Sequence, residues 1–182
     1  MDEIRRRSLL LAGPVLMAAG PAPRSVYDFT LPRLEGGDLP LAGFRGQALL
    51  IANTASFCGY TPQYAGLQRL YDRFKARGFA VIGVPSNDFN QESADGGAIR
   101  EFCDTQYGID FPMAGLSHVR GPDADALFAF LAQAGGGEPR WNFHKYLVAR
   151  DGRHVTGFAT QVDPDQPDFL RAIEAALTQR AP

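Results

Sequence analysis

Apolar positions along this chain fall into runs of two kinds. Residues 48–55 (ALLIANTA) and 79–84 (FAVIGV) are nearly continuous and rich in β-formers, the pattern of strands covered on both faces. Between them, Tyr64, Leu67, Leu70, Tyr71 and Phe74 recur at spacings of three and four, which predicts a helix over residues 62–77 that Gly78 ends in a left-handed turn. Strand, helix and strand in this rhythm form a βαβ unit with parallel strands and a right-handed crossover. Further helices are predicted over residues 94–107, with Ile99, Phe102 and Cys103 on one side, over residues 122–133, and from Pro164 or Pro167 to Leu177. Residues 25–31 and the Leu39 and Leu41 positions flank an E-G-G-D turn and predict an N-terminal hairpin. Residues 111–113 read as a short strand, and residues 141–149 and 154–158, joined by Arg150-Asp151-Gly152, as a second hairpin. The fold class is therefore α/β, a central mixed sheet flanked by helices with a β-hairpin at the N-terminus. Functional loops of such sheets leave the carboxyl ends of the strands, so Cys58 and the loop 85–92 should share one rim.

Composition narrows the classes. With 182 residues, 45% of them hydrophobic, and a net charge of −2, the chain reads as one domain with a sizeable core and no basic excess for nucleic acid. The first 23 residues carry a separate message. Arg5-Arg6-Arg7-Ser8 precedes an apolar run through Ala19 and a small-residue stretch, the layout of an export signal, and Arg6-Arg7 resembles the twin-arginine type, although Arg5 stands where that motif has Ser or Thr. The apolar run is shorter than the ~20 residues a membrane span needs. Residues 1–23 are thus expected to direct export, to the periplasm, and residues 24–182 to form the single domain; without a signal the protein would stay in the cytoplasm.

The candidate chemistry starts at Cys58. The strand over residues 48–55 delivers this thiol into a loop, and Thr61-Pro62 suit an N-cap and a first helical residue, which would bring helix amides and the positive dipole end near the sulfur. A thiolate placed there is stabilised and reactive, whereas a buried structural cysteine is the plainer alternative. Cys103, four residues from Ile99, faces inward and reads as a core cysteine. Two cysteines are too few for a disulfide scaffold or a multi-cysteine zinc site; they could form one bridge or act as a reactive pair. Gly135-Gly136-Gly137 lacks a following Lys-Ser/Thr and reads as a loop. His118, His144 and His154 are scattered, so the residues imply no metal and no cofactor.

Three blocks together resemble the glutathione peroxidase family: Asn53-Thr54-Ala55-Ser56-Phe57-Cys58-Gly59-Tyr60-Thr61, Pro85-Ser86-Asn87-Asp88-Phe89 with Gln91-Glu92 behind it, and Trp141-Asn142-Phe143-His144-Lys145-Tyr146-Leu147-Val148. The resemblance implies a thioredoxin-like fold and a thiol peroxidase that reduces hydrogen peroxide and organic or lipid hydroperoxides, with Cys58 as peroxidatic residue. Trp141 and Asn142 would supply N–H donors to the thiolate and the departing oxygen. The family's active-site Gln is replaced by Asp88, which would oppose the thiolate unless it is protonated, points away, or takes the thiol proton. Glu101-Phe102-Cys103-Asp104-Thr105 resembles the helix that carries a resolving cysteine in members recycled by thioredoxin, so Cys103 would close a disulfide with Cys58. A thioredoxin-like protein or glutathione would then be the reductant, and the short loop before Trp141 implies a monomer or weak dimer. The competing readings are a general thiol–disulfide oxidoreductase, although no second cysteine follows Cys58 at C-x-x-C spacing, and a metal-delivery module on the same fold.

Overall fold

Why the run at residues 48–52 is apolar throughout becomes clear from what covers it. The computed structural model describes residues 25–179, so the export-like segment 1–23 lies outside the described residues. In chain order the elements are β1 (Thr30–Pro32), β2 (Asp38–Pro40), β3 (Ala48–Thr54), α1 (Gln63–Phe74), β4 (Phe79–Pro85), α2 (Gly96–Tyr107), α3 (Ala126–Gly135), β5 (Lys145–Val148), β6 (Val155–Phe158) and α4 (Pro167–Thr178). Strands β1 and β2 form the N-terminal hairpin, and the main sheet has the order β4-β3-β5-β6. β3 pairs parallel with β4 and antiparallel with β5, which pairs antiparallel with β6. The sheet is thus mixed, as expected.

Period-two alternation along β3 feeds two cores. Leu50 and Ala52 pack with Leu67, Leu70 and Phe74 of α1, Ile99 and Cys103 of α2, and Phe169 and Ile173 of α4. Leu49 and Ile51 point to the opposite face, against Leu127, Phe128 and Leu131 of α3 and Leu31 and Leu39 of the hairpin. Each fully buried Leu or Ile stabilises the fold by roughly 1.5–3 kcal/mol, so these two layers fix the register of β3 and hence where its carboxyl end delivers the following loop.

Several boundaries differ from the sequence expectation. α1 is α-helical only to Phe74; Lys75–Arg77 tighten into a 3-10 turn before Gly78, whose φ of 81° is the left-handed ending expected there. Residues 111–113 do not form a strand, and Met113 makes only a single bridge to Gly83. α3 begins at Ala126 because residues 122–125 are spent on turns anchored by Asp125 N–H donating to the His118 carbonyl. Residues 141–144, expected as strand, form a turn, and β5 starts only at Lys145. Gly157 is required in β6, since a Cβ there would stand 2.5 Å from the Gly135 carbonyl oxygen at the end of α3.

Candidate active site

Three loops meet at the carboxyl rim of the sheet. After β3 the chain turns through residues 55–62, where Thr61 ties the loop to the strand: its Oγ1 accepts the Cys58 N–H at 3.0 Å and donates to the Ala55 carbonyl at 2.9 Å. Thr61 is therefore not the N-cap of α1, because its hydroxyl is committed to the amide of Cys58 itself. Successive bonds from Thr61 N–H to the Cys58 carbonyl and from Gln63 N–H to the Tyr60 carbonyl wind the loop directly into the helix. The donor that reaches the sulfur is the loop amide of Tyr60, 3.4 Å from Cys58 Sγ. Cys58 is 8% exposed beside the outward-facing Phe57, so the thiol is sheltered yet at the surface.

The second loop follows β4. Phe57 N–H donates to the Gln91 carbonyl at 3.0 Å, which places this loop on the same rim as Cys58, as the topology predicts. Asn87 closes the loop, its carbonyl accepting Asn90 N–H and its Oδ1 accepting Glu92 N–H, while Asn90 adopts φ 56°. Asp88 does not spend its carboxylate on the thiol: Oδ2 accepts Val119 N–H at 2.6 Å and Oδ1 lies 2.7 Å from His118 Nδ1, beside a shallow cavity of about 350 Å³ that Leu116 and Ser117 also line. Hydrogen bonding to Asp88, reinforced by its charge, pushes the His118 imidazole above its ordinary range. Asp88→Asn is expected to bring His118 back down, read from the pH titration of its ring protons by NMR; an unchanged titration would show that the pair does not form in solution.

The third loop is the turn 141–144. Asn53, the buried residue near the end of β3, holds it with three bonds: Nδ2–H to the Trp141 carbonyl at 3.2 Å, its carbonyl accepting Phe143 N–H at 2.7 Å, and its own N–H to the His144 carbonyl at 3.3 Å. Thr160 Oγ1 donates to the Asn142 carbonyl at 2.8 Å, and the buried Lys145 ammonium donates to the Phe143 carbonyl at 2.7 Å. These bonds impose φ 61° on Phe143, a left-handed conformation rare for a bulky residue and of the kind that clusters at functional sites. Its ring is buried edge-on against Tyr64 at 5.3 Å. The turn presents Trp141, 40% exposed and 5.2 Å from the Phe89 ring, and Asn142, fully buried, whose Nδ2–H donates to Gln91 Oε1 at 2.9 Å.

Behind the loops lies a buried polar cluster. Both cysteines are free; Cys103 is fully buried, and burial pushes its thiol up to about 11. The Tyr64 hydroxyl lies against Cys103 and Thr54, and burial likewise raises the Glu92 carboxyl next to Ser56. Thr54 Oγ1, Ser56 Oγ, Tyr64 Oη and Glu92 Oε2 are buried without a hydrogen bond of good geometry, a concentration of cost in one place. Among the described residues, no group of three or more His, Cys, Asp or Glu is arranged to hold a metal ion, and no helix is long and apolar enough to cross a membrane.

Of the residues singled out from sequence, Cys58, Trp141 and Asn142 lie on loops that Phe57, Gln91 and Asn53 tie together, Cys103 sits behind them in α2, and Asp88 is turned to the 118–119 segment. Sequence reading gave no role to Asn53, Gln91 or Lys145. All three fall within the quoted blocks, but their partners are 88, 51 and 2 residues away, and only folding shows who they are.

Comparisons with known proteins agree with this geometry. Residues 26–132 match the family model described as glutathione peroxidase. The chain is 45% identical over 156 residues to the hydroperoxy fatty acid reductase gpx1 of Synechocystis, a match covering 80% of this chain and 92% of that protein. A crystal structure of apo Trgpx superposes with a TM-score of 0.70 at 30% identity, covering 87% of this chain and 99% of the other. A thioredoxin-family thiol:disulfide interchange protein of Chlorobium tepidum superposes with a TM-score of 0.64 at 18% identity, over 87% and 99% of the two chains, which shows the thioredoxin-like fold alone.

Proposed function

Because this chain belongs to the glutathione peroxidase family, a family of peroxidases that reduce hydroperoxides with thiol reductants, we propose that Cys58 is its peroxidatic residue and Cys103 its resolving residue. The observation that carries the reading is the Cys58 sulfur itself, set in a loop, accepting the Tyr60 N–H, on the rim where Gln91 links the Phe57 amide to Asn142. The Cys58 thiolate attacks one oxygen of the hydroperoxide; the O–O bond breaks, the alkoxide takes up a proton and leaves as alcohol, and the sulfur becomes a sulfenic acid. Tyr60 N–H stabilises the thiolate, and the amide of Asn142 with the indole N–H of Trp141 serves the departing oxygen. Cys103 then attacks the sulfenic sulfur, a disulfide forms, and its proton leaves with the hydroxyl as water.

For that step Cys103 must leave its buried site and ionise, which requires local opening of α2; the Tyr64 hydroxyl beside it is itself buried without a hydrogen bond of good geometry. A dithiol donor of thioredoxin type or glutathione returns both thiols. Lipid hydroperoxides are favoured substrates: a close relative is named for hydroperoxy fatty acids, and the large apolar side chains most exposed among the described residues, Phe57, Trp141 and Leu116, all lie on the three loops or against them. Against a general thiol–disulfide oxidoreductase, the residue three positions after Cys58 is Thr61, whose hydroxyl is bound to the Cys58 amide. The basic and apolar segment at residues 5–19 supports export, which N-terminal sequencing of the protein recovered from a periplasmic fraction tests.

The decisive experiment mixes reduced protein with hydrogen peroxide or a fatty acid hydroperoxide and follows the fluorescence of Trp141, the only tryptophan, with mass spectrometry of the product. A rapid change at one peroxide per chain and a Cys58–Cys103 disulfide are expected. No reaction at Cys58 would overturn the assignment, and a stable sulfinic Cys58 beside a free Cys103 would remove the resolving step.

A further inference from the structure

Asn142 is fully buried, yet its side chain makes only one hydrogen bond: Nδ2–H donates to Gln91 Oε1 at 2.9 Å, and Oδ1 has no partner. A carboxamide can turn over about its last torsion, exchanging an acceptor oxygen for a donor nitrogen in the same place. The main chain of the turn 141–144 is fixed by Asn53, Thr160 and Lys145, but those bonds reach carbonyls and an amide of the backbone and leave the Asn142 amide plane free. Gln91 alone among the described residues decides which end of that amide is presented.

Gln91 is itself held firmly. Its carbonyl accepts Phe57 N–H at 3.0 Å, one residue from Cys58, and the next residue, Glu92, donates its N–H to Asn87 Oδ1 at 3.2 Å. The left-handed Asn90 turns the chain sharply just before it. Asp88, by contrast, is occupied by Val119 and His118. We propose that Gln91 is the positioning residue of the peroxidatic centre: bound through its backbone to the neighbour of Cys58 and through its side chain to Asn142, it orients the Asn142 amide with one N–H engaged and the second available to the departing oxygen. The proposal rests on the reading of Cys58 as peroxidatic.

A double-mutant cycle tests it. Rate constants for oxidation of Cys58 by hydrogen peroxide are measured by Trp141 fluorescence for wild type, Gln91→Met, Asn142→Ala and the double variant, with thermal unfolding of each as a check on folding. Gln91→Met keeps the length of the side chain and removes the acceptor, and is expected to slow oxidation by about 10- to 100-fold. Because Gln91 acts through Asn142, the double variant is expected to be no slower than Asn142→Ala alone, a coupling that general loosening of the loop would not produce. Gln91→Ala, which gives up the same acceptor with less bulk, is carried through the same cycle should Gln91→Met fold poorly. A wild-type rate in either folded Gln91 variant, or effects that multiply in the double variant, overturns the proposal. An unreactive Cys58 in the wild-type protein overturns the peroxidase reading and this proposal with it.

Discussion

Cys58→Ser is expected to lower hydroperoxide reduction by about 10³-fold or more while leaving the thermal unfolding temperature nearly unchanged, because the serine hydroxyl cannot supply a comparable nucleophile at neutral pH. The substitution is nearly isosteric at a residue 8% exposed, and a serine oxygen can still accept the Tyr60 N–H that now reaches Sγ at 3.4 Å. Loss of activity would therefore report chemistry rather than folding. Cys103→Ser separates the two steps. Burial holds the Cys103 thiol up at about 11, so it is protonated in the folded enzyme at neutral pH and takes no part in the first oxidation. The single-turnover burst should persist, while steady-state turnover with a dithiol donor falls and Cys58 accumulates as sulfenic and then sulfinic acid under repeated peroxide. Mass spectrometry of the two variants distinguishes the roles; a Cys103→Ser variant with wild-type steady-state turnover would show that the resolving thiol comes from elsewhere.

The topology was readable from sequence because it depends on pattern. The nearly continuous apolar run of β3, short and rich in β-formers, reads as a strand covered on both faces, and the three-and-four spacing of Leu67, Leu70 and Phe74 places them on one side of a helix. The inward direction of Cys103 followed from the same periodicity. Thr61 departs from its local signature for a physical reason: Thr followed by Pro marks a helix start, but a nearer demand, the amide of Cys58, takes the hydroxyl. Asp88 shows the limit of matching motifs by position. Position alone leaves open whether an acid in the place of a neutral amide faces the thiol or points away; the fold supplies its carboxylate with Val119 and His118, about thirty residues further on, and brings Gln91 to Asn142. Such pairings are set by loop closure, and no periodicity records them.

Lys145 carries the largest expected effect on stability. The side chain is fully buried on β5, between Ala52 of β3 and Phe158 of β6, and donates to the Phe143 carbonyl. Burial pushes its ammonium down to about 7, with the Asp163 carboxylate opposing the shift, and the same burial and the Lys145 charge hold neighbouring His144 down at about 4. An unfolded lysine titrates near ~10.4, so above pH 7 the folded chain has released a proton that the unfolded chain still binds. Stability should then rise with pH from about 7, by roughly 1.4 kcal/mol per unit, and be lost again as pH falls through that value. From about pH 8.5 the raised Cys103 thiol, and above it Tyr64 and Tyr146, pull the other way, because their folded forms keep protons that the unfolded chain gives up. Between pH 7 and 8.5 wild type is expected to gain roughly 2 kcal/mol over Lys145→Met, whose profile lacks the rise. Urea midpoints of the two proteins across this window measure the gain, and parallel curves would show that Lys145 does not titrate there. His144 falls outside the comparison, since its own window lies between about 4 and ~6.5. The hydrogen bond of Lys145 ends on the carbonyl of Phe143, the left-handed residue next to Asn142, so a change in the charge of Lys145 bears directly on the turn 141–144.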